Sequence, residues 1–140
     1  MIAKIQPLIR TKQKLPTPKG LFLTDFDGTL LRSDRTFSPT DLAVLEHLAE
    51  LQIIRIIATG RSMHSFLTVG VKHLPVDYVI FSTGAGVAEW PSGRLVRKVS
   101  LKGQEVSHIC AKLLAADLDL MVLRPIPDTH YFGFIAAGPP

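Results

Sequence analysis

The sequence predicts an α/β fold with a parallel sheet at its core. Three short apolar runs, Leu21–Phe26, Ile53–Ala58 and Asp77–Phe81, each end in a polar or glycine-containing turn. Two stretches with helical spacing of apolar residues separate these runs. Strands that alternate with helices in this way form βαβ units with parallel strands and right-handed crossovers. We therefore expect the turns after the strands to share one edge of the sheet, where ligands of such sheets bind.

The first strand ends in two carboxylates, Asp25 and Asp27. The uninterrupted apolar run before them is typical of a strand that is buried on both faces of a parallel sheet. Carboxylates this close repel each other, and a hard cation such as Mg²⁺ relieves the repulsion. The pair therefore predicts a metal site in which Asp25 attacks phosphorus and Asp27 transfers a proton. An acidic turn without chemistry is the alternative.

A helix and a second strand follow the carboxylates. Ser38 as N-cap and Pro39 at the first helical position begin a helix that runs to residue 51. The β-branched run Ile53–Ala58 forms the next strand. Parallel pairing of the two strands places Thr59 at the same edge of the sheet as Asp25.

The turn after the second strand is a candidate phosphate site. The Thr59 hydroxyl and the following backbone amides can hold a phosphoryl oxygen at a helix N-terminus. An ordinary strand-to-helix turn with Ser62 as N-cap explains the same residues. Arg61 can face the substrate or solvent.

The rest of the chain predicts a third parallel strand and a mixed α/β segment. A helix is expected from Ser62 to Val71, and His64 is expected at the surface. Gly84 and Gly86 lack the third glycine of a dinucleotide-binding loop, because position 89 is a glutamate.

The segment after the third strand begins with a predicted hairpin, in which Trp90 is expected to be a packing residue. The helix Gln104–Ala116 has a one-sided apolar stripe, and Cys110 is expected to be buried and inert in it. Two strands, Leu118–Leu123 and Tyr131–Ala136, complete the segment.

Composition and charge exclude several function classes. Hydrophobic residues make up 46% of the 140 residues and charged residues 20%, which is typical of a globular protein. The chain has no apolar run long enough to span a membrane. Five of the 16 basic residues precede the first acid, and the remaining eleven nearly balance the 12 acidic ones. The high isoelectric point therefore comes from the leader, residues 1–19, and we expect neither a nucleic-acid partner nor a membrane partner. A single cysteine is compatible with the reducing cytoplasm, where we expect the chain to reside.

Two motifs resemble those of a known family. Residues 25–31, DFDGTLL, behind an apolar strand, resemble motif I of the haloacid dehalogenase superfamily, and residues 58–61, ATGR, resemble motif II of its Cof-like branch. The resemblance implies a Rossmann-like parallel sheet core, incomplete here, with the beginning of an α/β cap. It also implies Mg²⁺-dependent hydrolysis of a small phosphorylated metabolite, such as a sugar phosphate, through an aspartyl-phosphate. The site residues that it implies are Asp25 and Asp27 for catalysis and metal binding, and Gly28, Thr59, Gly60 and Arg61 for phosphate binding.

The resemblance divides the chain into three parts and leaves part of the site unfilled. We expect a flexible basic leader at residues 1–19, for which an organelle-targeting segment is the alternative. The core with both motifs is expected at 20–88 and the start of the cap at 89–140. Thr83 stands where the Cof-like branch usually has asparagine. The family completes its site with a lysine and a Gly-Asp-x-x-x-Asp stretch, and this sequence contains no Gly-Asp pair.

The missing motifs suggest either the N-terminal part of a longer phosphatase or a naturally shortened relative. In both cases we expect little turnover from these 140 residues, and an open apolar edge along the first strand. The alternative function is a non-catalytic binding or regulatory module that keeps the fold. A phospho-accepting receiver domain fits poorly, because its acceptor aspartate lies on the third strand. The sequence does not determine the oligomeric state.

Overall fold

A computed structural model describes residues 17–138 of the chain. Five strands form one sheet in the order β1-β2-β3-β4-β5, and the first three are parallel. Strands β4 and β5 continue the sheet as an antiparallel hairpin. The strands are β1 (Gly20–Asp25), β2 (Ile53–Ala58), β3 (Tyr78–Phe81), β4 (Gly86–Glu89) and β5 (Leu95–Lys98). The predicted α/β class with a parallel core is therefore confirmed.

Three helices and a second, two-stranded sheet complete the described fold. They are α1 (Pro39–Glu50), α2 (Met63–Leu67), α3 (Gly103–Ala115) and the antiparallel pair β6 (Leu120–Leu123) and β7 (Phe132–Ile135). Most bounds lie within two residues of the predicted ones. Helix α2 is shorter than predicted, because the chain turns at Gly70 with a left-handed φ of 74° before a 3₁₀ turn at Val71–His73.

The predicted leader lies outside the described residues, apart from positions 17–19. The predicted boundary between residues 88 and 89 falls inside β4, and the division into core and cap stays a prediction. In the described part of the chain, no helix is both long and apolar enough to cross a membrane.

Aromatic side chains form the centre of the core below the carboxyl ends of the strands. Phe26 and Phe66 are both fully buried, and their ring centroids lie 4.8 Å apart. Trp90 packs edge-on against Phe66 at 5.3 Å and is 8% exposed, so its predicted packing role is confirmed. Helix α1 packs on β2 and contributes the buried Leu45. The core thus fixes the residues next to Asp25 and Asp27.

Strand β1 differs from its prediction in burial. It lies at the edge of the described sheet with β2 as its partner, and Leu21 and Leu23 are 70% and 59% exposed. Burial on both faces is therefore wrong for the described part of the chain, whereas the open apolar edge is confirmed. An apolar run indicates that a strand can be buried, but whether it is buried depends on the strands and helices that pack against it.

Helix α3 has the predicted apolar stripe, but the stripe is not buried. Val106 and Cys110 are only half-buried, and Ile109 is 41% exposed. Strand β6 is the described element that packs closely against α3, and one short strand cannot cover the stripe. The expectation that Cys110 is buried is therefore wrong among residues 17–138, although the helix itself is correct.

Gly86 gives a first prediction, on stability. A Cβ at this position would overlap Cζ of Phe81 and approach its Cε1 to 2.6 Å. Because Phe81 is 1% exposed, its ring has little room to move. We expect Gly86→Ala to lower the free energy of unfolding by about 1–3 kcal/mol, measured by urea denaturation. Gly103→Ala is the control, because nothing lies within 4 Å of its Cβ position. Equal stabilities of Gly86→Ala and the wild type would contradict the prediction.

Candidate active site

Both carboxylates are exposed where β1 ends and its following loop begins. Asp25 is the last residue of β1, and the amide of Leu31 donates a hydrogen bond of 2.8 Å to the carbonyl of Phe26. Gly28 has a φ of 76°, a conformation that glycine adopts without strain. Phe26 points into the core, so Asp25 and Asp27 on either side of it are both exposed. The spacing of two residues therefore brings both acidic side chains to the surface at the carboxyl end of β1.

The parallel register brings the end of β2 to the same place. Asp25 is paired with Ala58, so the buried Thr59 follows directly beside the loop. The Thr59 hydroxyl donates a hydrogen bond of 3.4 Å to Oδ2 of Asp27. The structure thus places Thr59 at the same edge as the carboxylates, as the sequence predicted.

Arg61 forms a two-pronged ion pair with Asp27. Its Nη2 and Nε donate to Oδ1 of Asp27 at 2.7 and 2.9 Å, and Nε also lies 3.0 Å from Oδ2. The hydrogen bonds from Arg61 hold the pKa of Asp27 below its ordinary value of 3.8, against a smaller opposing effect of desolvation. The same pair raises the pKa of Arg61. Asp27 is therefore a carboxylate at neutral pH, and its nearest cation is Arg61.

A second prediction concerns the protonation of Asp27. The substitution Arg61→Gln should raise the pKa of Asp27 toward 3.8, because its main stabilising partner is removed. Because the pKa of Asp27 is lowered in the folded state, its ion pair with Arg61 stabilises the fold fully above pH 3.8. This stabilisation is lost as the pH falls through the pKa that Asp27 has in the folded protein. Carbon-13 NMR titration of the Asp27 carboxyl measures the change. Arg94→Gln is the control, since it should raise the pKa of Glu89 and leave Asp27 unchanged. An unchanged Asp27 pKa in Arg61→Gln would contradict this account.

Polar groups in the turn between β2 and α2 form hydrogen bonds with one another. The amide of Arg61 donates to the Thr59 hydroxyl at 3.1 Å, and the amide of Ser65 donates to the Ser62 hydroxyl at 3.2 Å. Ser62 is thus the N-cap of α2, as the simpler interpretation of this turn predicted. Gly60 is exposed at the mouth of the site. Phosphate binding by this turn stays a prediction.

Comparison with known proteins identifies the family. The model of the haloacid dehalogenase-like hydrolase family matches residues 22–129, which is most of the chain. The chain belongs to this family. The superfamily that the two motifs indicated is thereby confirmed. A search among curated proteins gives no match.

Solved structures of this family share the fold. A phosphatase of the haloalkanoate dehalogenase superfamily from Bacteroides thetaiotaomicron is 24% identical, with a TM-score of 0.63 over 85% of this chain and 43% of its own. A haloacid dehalogenase-like hydrolase from B. subtilis is 24% identical, with a TM-score of 0.59 over 75% of this chain and 36% of its own. A subclass IIB sugar phosphatase is 23% identical, with a TM-score of 0.53 over 76% and 41%. The chain therefore spans about two fifths of the length of these structures.

The two carboxylates at the end of β1 suit a hard cation. Mg²⁺ prefers oxygen ligands and usually binds through one or two carboxylates together with phosphate oxygens of the substrate. Asp25 and Asp27 provide two such carboxylates. Residues 17–138 contain no group of three or more acidic, histidine or cysteine side chains that could hold a metal ion between them. The donor chemistry fits Mg²⁺, and Arg61 is the group that a cation would meet at Asp27.

Several contacts at the site were not predicted. The Thr29 hydroxyl donates to Oδ2 of Asp25 at 3.3 Å, and Nη1 of Arg61 donates to the Ser65 hydroxyl at 3.1 Å. The position of Thr29 two residues beyond Asp27 is a local signal that could have identified its role. The position of Ser65 carried no such signal.

A large cleft opens beside the site. Its volume is about 1230 Å³, and it lies between the turns that end β2 and β3 and the apolar faces of α3 and β6. Two contacts join its walls: the Ser82 and Thr129 hydroxyls lie 2.8 Å apart, and the rings of His64 and His130 stack at 4.5 Å. His64 is exposed, as expected, but it also packs on His130. The cleft has room for the organic part of a small phosphate ester.

Proposed function

We propose that the chain carries the nucleophile and the acid/base of a Mg²⁺-dependent phosphatase that hydrolyses a small phosphorylated metabolite, such as a sugar phosphate. One observation carries the proposal: residues from two strand ends converge, with the Asp27 carboxylate in contact with both Thr59 and Arg61 next to Asp25. Family membership supports the reaction class. The adjoining cleft suits a substrate of metabolite size.

Asp25 is the proposed nucleophile. Of the described side chains, Thr29 alone is hydrogen-bonded to its carboxylate, and the contact is to Oδ2. Oδ1 is therefore the oxygen that can attack. A bond forms between Oδ1 and phosphorus while the ester oxygen leaves, which gives an aspartyl-phosphate. Thr29 keeps the carboxylate oriented during the attack.

Asp27 is the proposed acid and base. Because Asp27 is ionised in its ion pair with Arg61, it must first take up a proton from solvent. It then gives that proton to the leaving oxygen and afterwards accepts a proton from the water that attacks the aspartyl-phosphate. Thr59, Gly60, Gly28 and Arg61 are the proposed phosphate ligands, and the arginine can hold two phosphoryl oxygens with its fork of N–H groups. When bound to Asp25 and Asp27, Mg²⁺ would neutralise the charge of the phosphoryl oxygens.

We propose a low rate for these 140 residues. Phosphoryl transfer depends on positioning and on stabilisation of charge, and the sequence holds no Gly-Asp pair that could begin the family's further acidic motif. The rate is expected to be several orders of magnitude below that of a complete site. Small phosphorylated metabolites are the proposed partners. The cytoplasmic location stays a prediction.

The test is phosphate release from a panel of sugar phosphates with a fluorescent phosphate sensor. We expect slow release that requires Mg²⁺, stops on chelation with EDTA and returns when Mg²⁺ is restored. Release at the same rate with and without EDTA would contradict the proposal. Rapid Asp25-dependent turnover would instead show that the site is complete without the missing motifs.

A second candidate is a non-catalytic binding or regulatory module. The ion pair between Arg61 and Asp27 favours it, because a carboxylate that is satisfied by arginine needs neither a metal nor a substrate for stability. Weak Mg²⁺ binding in a well-folded, monodisperse protein without Asp25-dependent phosphate release would support this function over the enzymatic one.

A further inference from the structure

The turn that follows β3, residues 82–84, has an unusual backbone. Ser82, Thr83 and Gly84 all have left-handed φ angles, of 49°, 55° and 90°. Glycine adopts this conformation without strain, whereas a β-branched residue such as threonine rarely does. Strained residues persist only where the surrounding structure holds them, and they are concentrated at functional sites. The contacts of this turn, which we call the β3 turn, therefore point to its role.

The β3 turn holds the backbone of the turn after β2, residues 59–61. The amide of Ser82 donates a hydrogen bond of 2.7 Å to the carbonyl of Arg61, and the amide of Thr83 donates one of 3.3 Å to the carbonyl of Thr59. The Thr59 carbonyl and the Gly60 amide belong to one peptide group, which is planar and trans. The bond from Thr83 therefore also fixes the direction of the Gly60 amide, which points away from the β3 turn.

The Ser82 hydroxyl joins the β3 turn to the loop between β6 and β7, residues 124–131. It lies 2.8 Å from the hydroxyl of Thr129, which is only 8% exposed. The same loop is anchored by Ile126, whose side chain belongs to the hydrophobic core. A buried hydroxyl that loses its partner is costly, so the two hydroxyls should stay together. Ser82 thus contacts the turn after β2 through its amide and a wall of the cleft through its hydroxyl.

We infer that Ser82 is a positioning residue that couples the cleft to the proposed phosphate-binding turn. While Thr129 holds the Ser82 hydroxyl, the β3 turn keeps its left-handed conformation and directs the Gly60 amide toward the phosphoryl group. When this hydrogen bond is lost, the strained turn relaxes and the amide loses its fixed direction. This role rests on the proposed function and deepens it, because a substrate that packs against the loop at Thr129 also strengthens the phosphate site.

The experiment is calorimetric titration of the whole chain with inorganic phosphate at a fixed Mg²⁺ concentration. Ser82→Ala and Thr129→Val should each weaken phosphate binding by about two- to tenfold, the effect of one hydrogen bond, although neither hydroxyl is a proposed phosphate ligand. The double variant should bind phosphate as weakly as either single variant, because both substitutions break the same bond. Affinities equal to that of the wild type, or losses that add in the double variant, overturn the coupling.

Two matched controls remove the same atoms elsewhere. Ser107→Ala and Thr40→Val remove hydroxyls that are exposed on α3 and α1, and both variants should bind phosphate as the wild type does. Urea denaturation establishes that each variant is folded. If a control weakens phosphate binding as much as Ser82→Ala, the coupling is wrong.

The substitution Thr83→Asn tests the strain in the β3 turn. Asparagine adopts the left-handed conformation more readily than threonine, so the variant should unfold at a higher urea concentration. Because the backbone contacts of the turn are kept, its affinity for phosphate should equal that of the wild type. Weaker phosphate binding by a folded Thr83→Asn would show that the Thr83 side chain, and not the link through Ser82, sustains the turn.

NMR of the unaltered protein gives a measurement that does not depend on the folding of a variant. Coupling is reciprocal, so added inorganic phosphate should shift the Ser82 amide and the Thr129 methyl resonances and leave the Thr40 methyl in place. In Thr129→Val, the Gly60 amide should already be shifted before phosphate is added, which loss of stability alone does not produce. Ser82 and Thr129 resonances that stay unmoved at saturating phosphate overturn the coupling.

Failure of the coupling and failure of the proposed function are distinguishable. If phosphate binds and Arg61→Gln weakens the binding, but Ser82→Ala and Thr129→Val have no effect, the phosphate site stands and the coupling is wrong. If neither the wild type nor any variant binds phosphate, the coupling and the proposed function both fail.

Discussion

Replacement of Asp25 by asparagine is expected to lower the rate of phosphate release by a factor on the order of 10⁴ or more, since loss of a catalytic nucleophile has effects of this size. The amide has no charged oxygen that can bond to phosphorus, and it provides a weaker ligand for Mg²⁺. The fold should survive, because Thr29 can donate its hydrogen bond to the amide oxygen as it does to Oδ2. The rate of phosphate release in the presence of Mg²⁺, compared between the variant and the wild type, measures the effect.

A binding measurement tests the role of Asp25 even if phosphate release by these 140 residues is slow. Beryllium fluoride mimics a phosphoryl group on a carboxylate, so the wild type with Mg²⁺ should give a bound ¹⁹F resonance that Asp25→Asn lacks. Asp41→Asn is the matched control, because Asp41 is an exposed carboxylate in the first turn of α1. If Asp25→Asn and Asp41→Asn gave the same signal and the same rate, Asp25 would not be the nucleophile.

The placement of the two carboxylates follows from local sequence. An apolar run that ends at Phe26, with a glycine two residues on, fixes the end of the strand and the turn after it. Parallel pairing through one helix then determines that Thr59 meets the same edge. These features depend on short stretches and on the handedness of the crossover, and they are therefore predictable from the sequence alone.

The partner of Arg61 does not follow from local sequence. A long side chain after Gly60 can reach solvent, substrate or a carboxylate, and the choice depends on the distance between the ends of β1 and β2. The same limit applies to Arg55, which interrupts the apolar run of β2. Its guanidinium forms a 2.8 Å ion pair with Asp77, 22 residues away. Long-range ion pairs of this kind are decided by tertiary geometry, which local sequence patterns do not encode.

Burial was the property that the sequence predicted least well. The apolar periodicity of α3 and the apolar run of β1 both give the right element, yet Leu21 and Ile109 are exposed in the described residues. Periodicity reports which face of an element can be covered, and the neighbouring elements determine what covers it. In contrast, Phe66 and Trp90 lie where several elements meet, and both are buried.

That difference leads to the prediction with the largest expected effect on stability, Phe66→Ala. Phe66 is fully buried, 4.8 Å from the ring of Phe26 and 5.3 Å from that of Trp90. Its truncation leaves a cavity that rigid neighbours cannot fill, and we expect the free energy of unfolding to fall by about 3–5 kcal/mol. Small domains have about 5–15 kcal/mol in total, so this loss is a large fraction of the stability of the fold.

Leu67→Ala provides the matched control for this prediction. Leu67 is the next residue of the same helix but is 56% exposed, so its truncation removes few packing contacts. Surface substitutions of this kind usually change stability by no more than about 0.5 kcal/mol. Urea denaturation followed by circular dichroism should therefore separate the two variants clearly. Phe66 also packs on Phe26, which lies between Asp25 and Asp27 in the sequence. Phe66→Ala should therefore also weaken the proposed Mg²⁺ binding, and Leu67→Ala should not. Equal unfolding midpoints for the two variants would contradict the prediction that the aromatic cluster stabilises the fold.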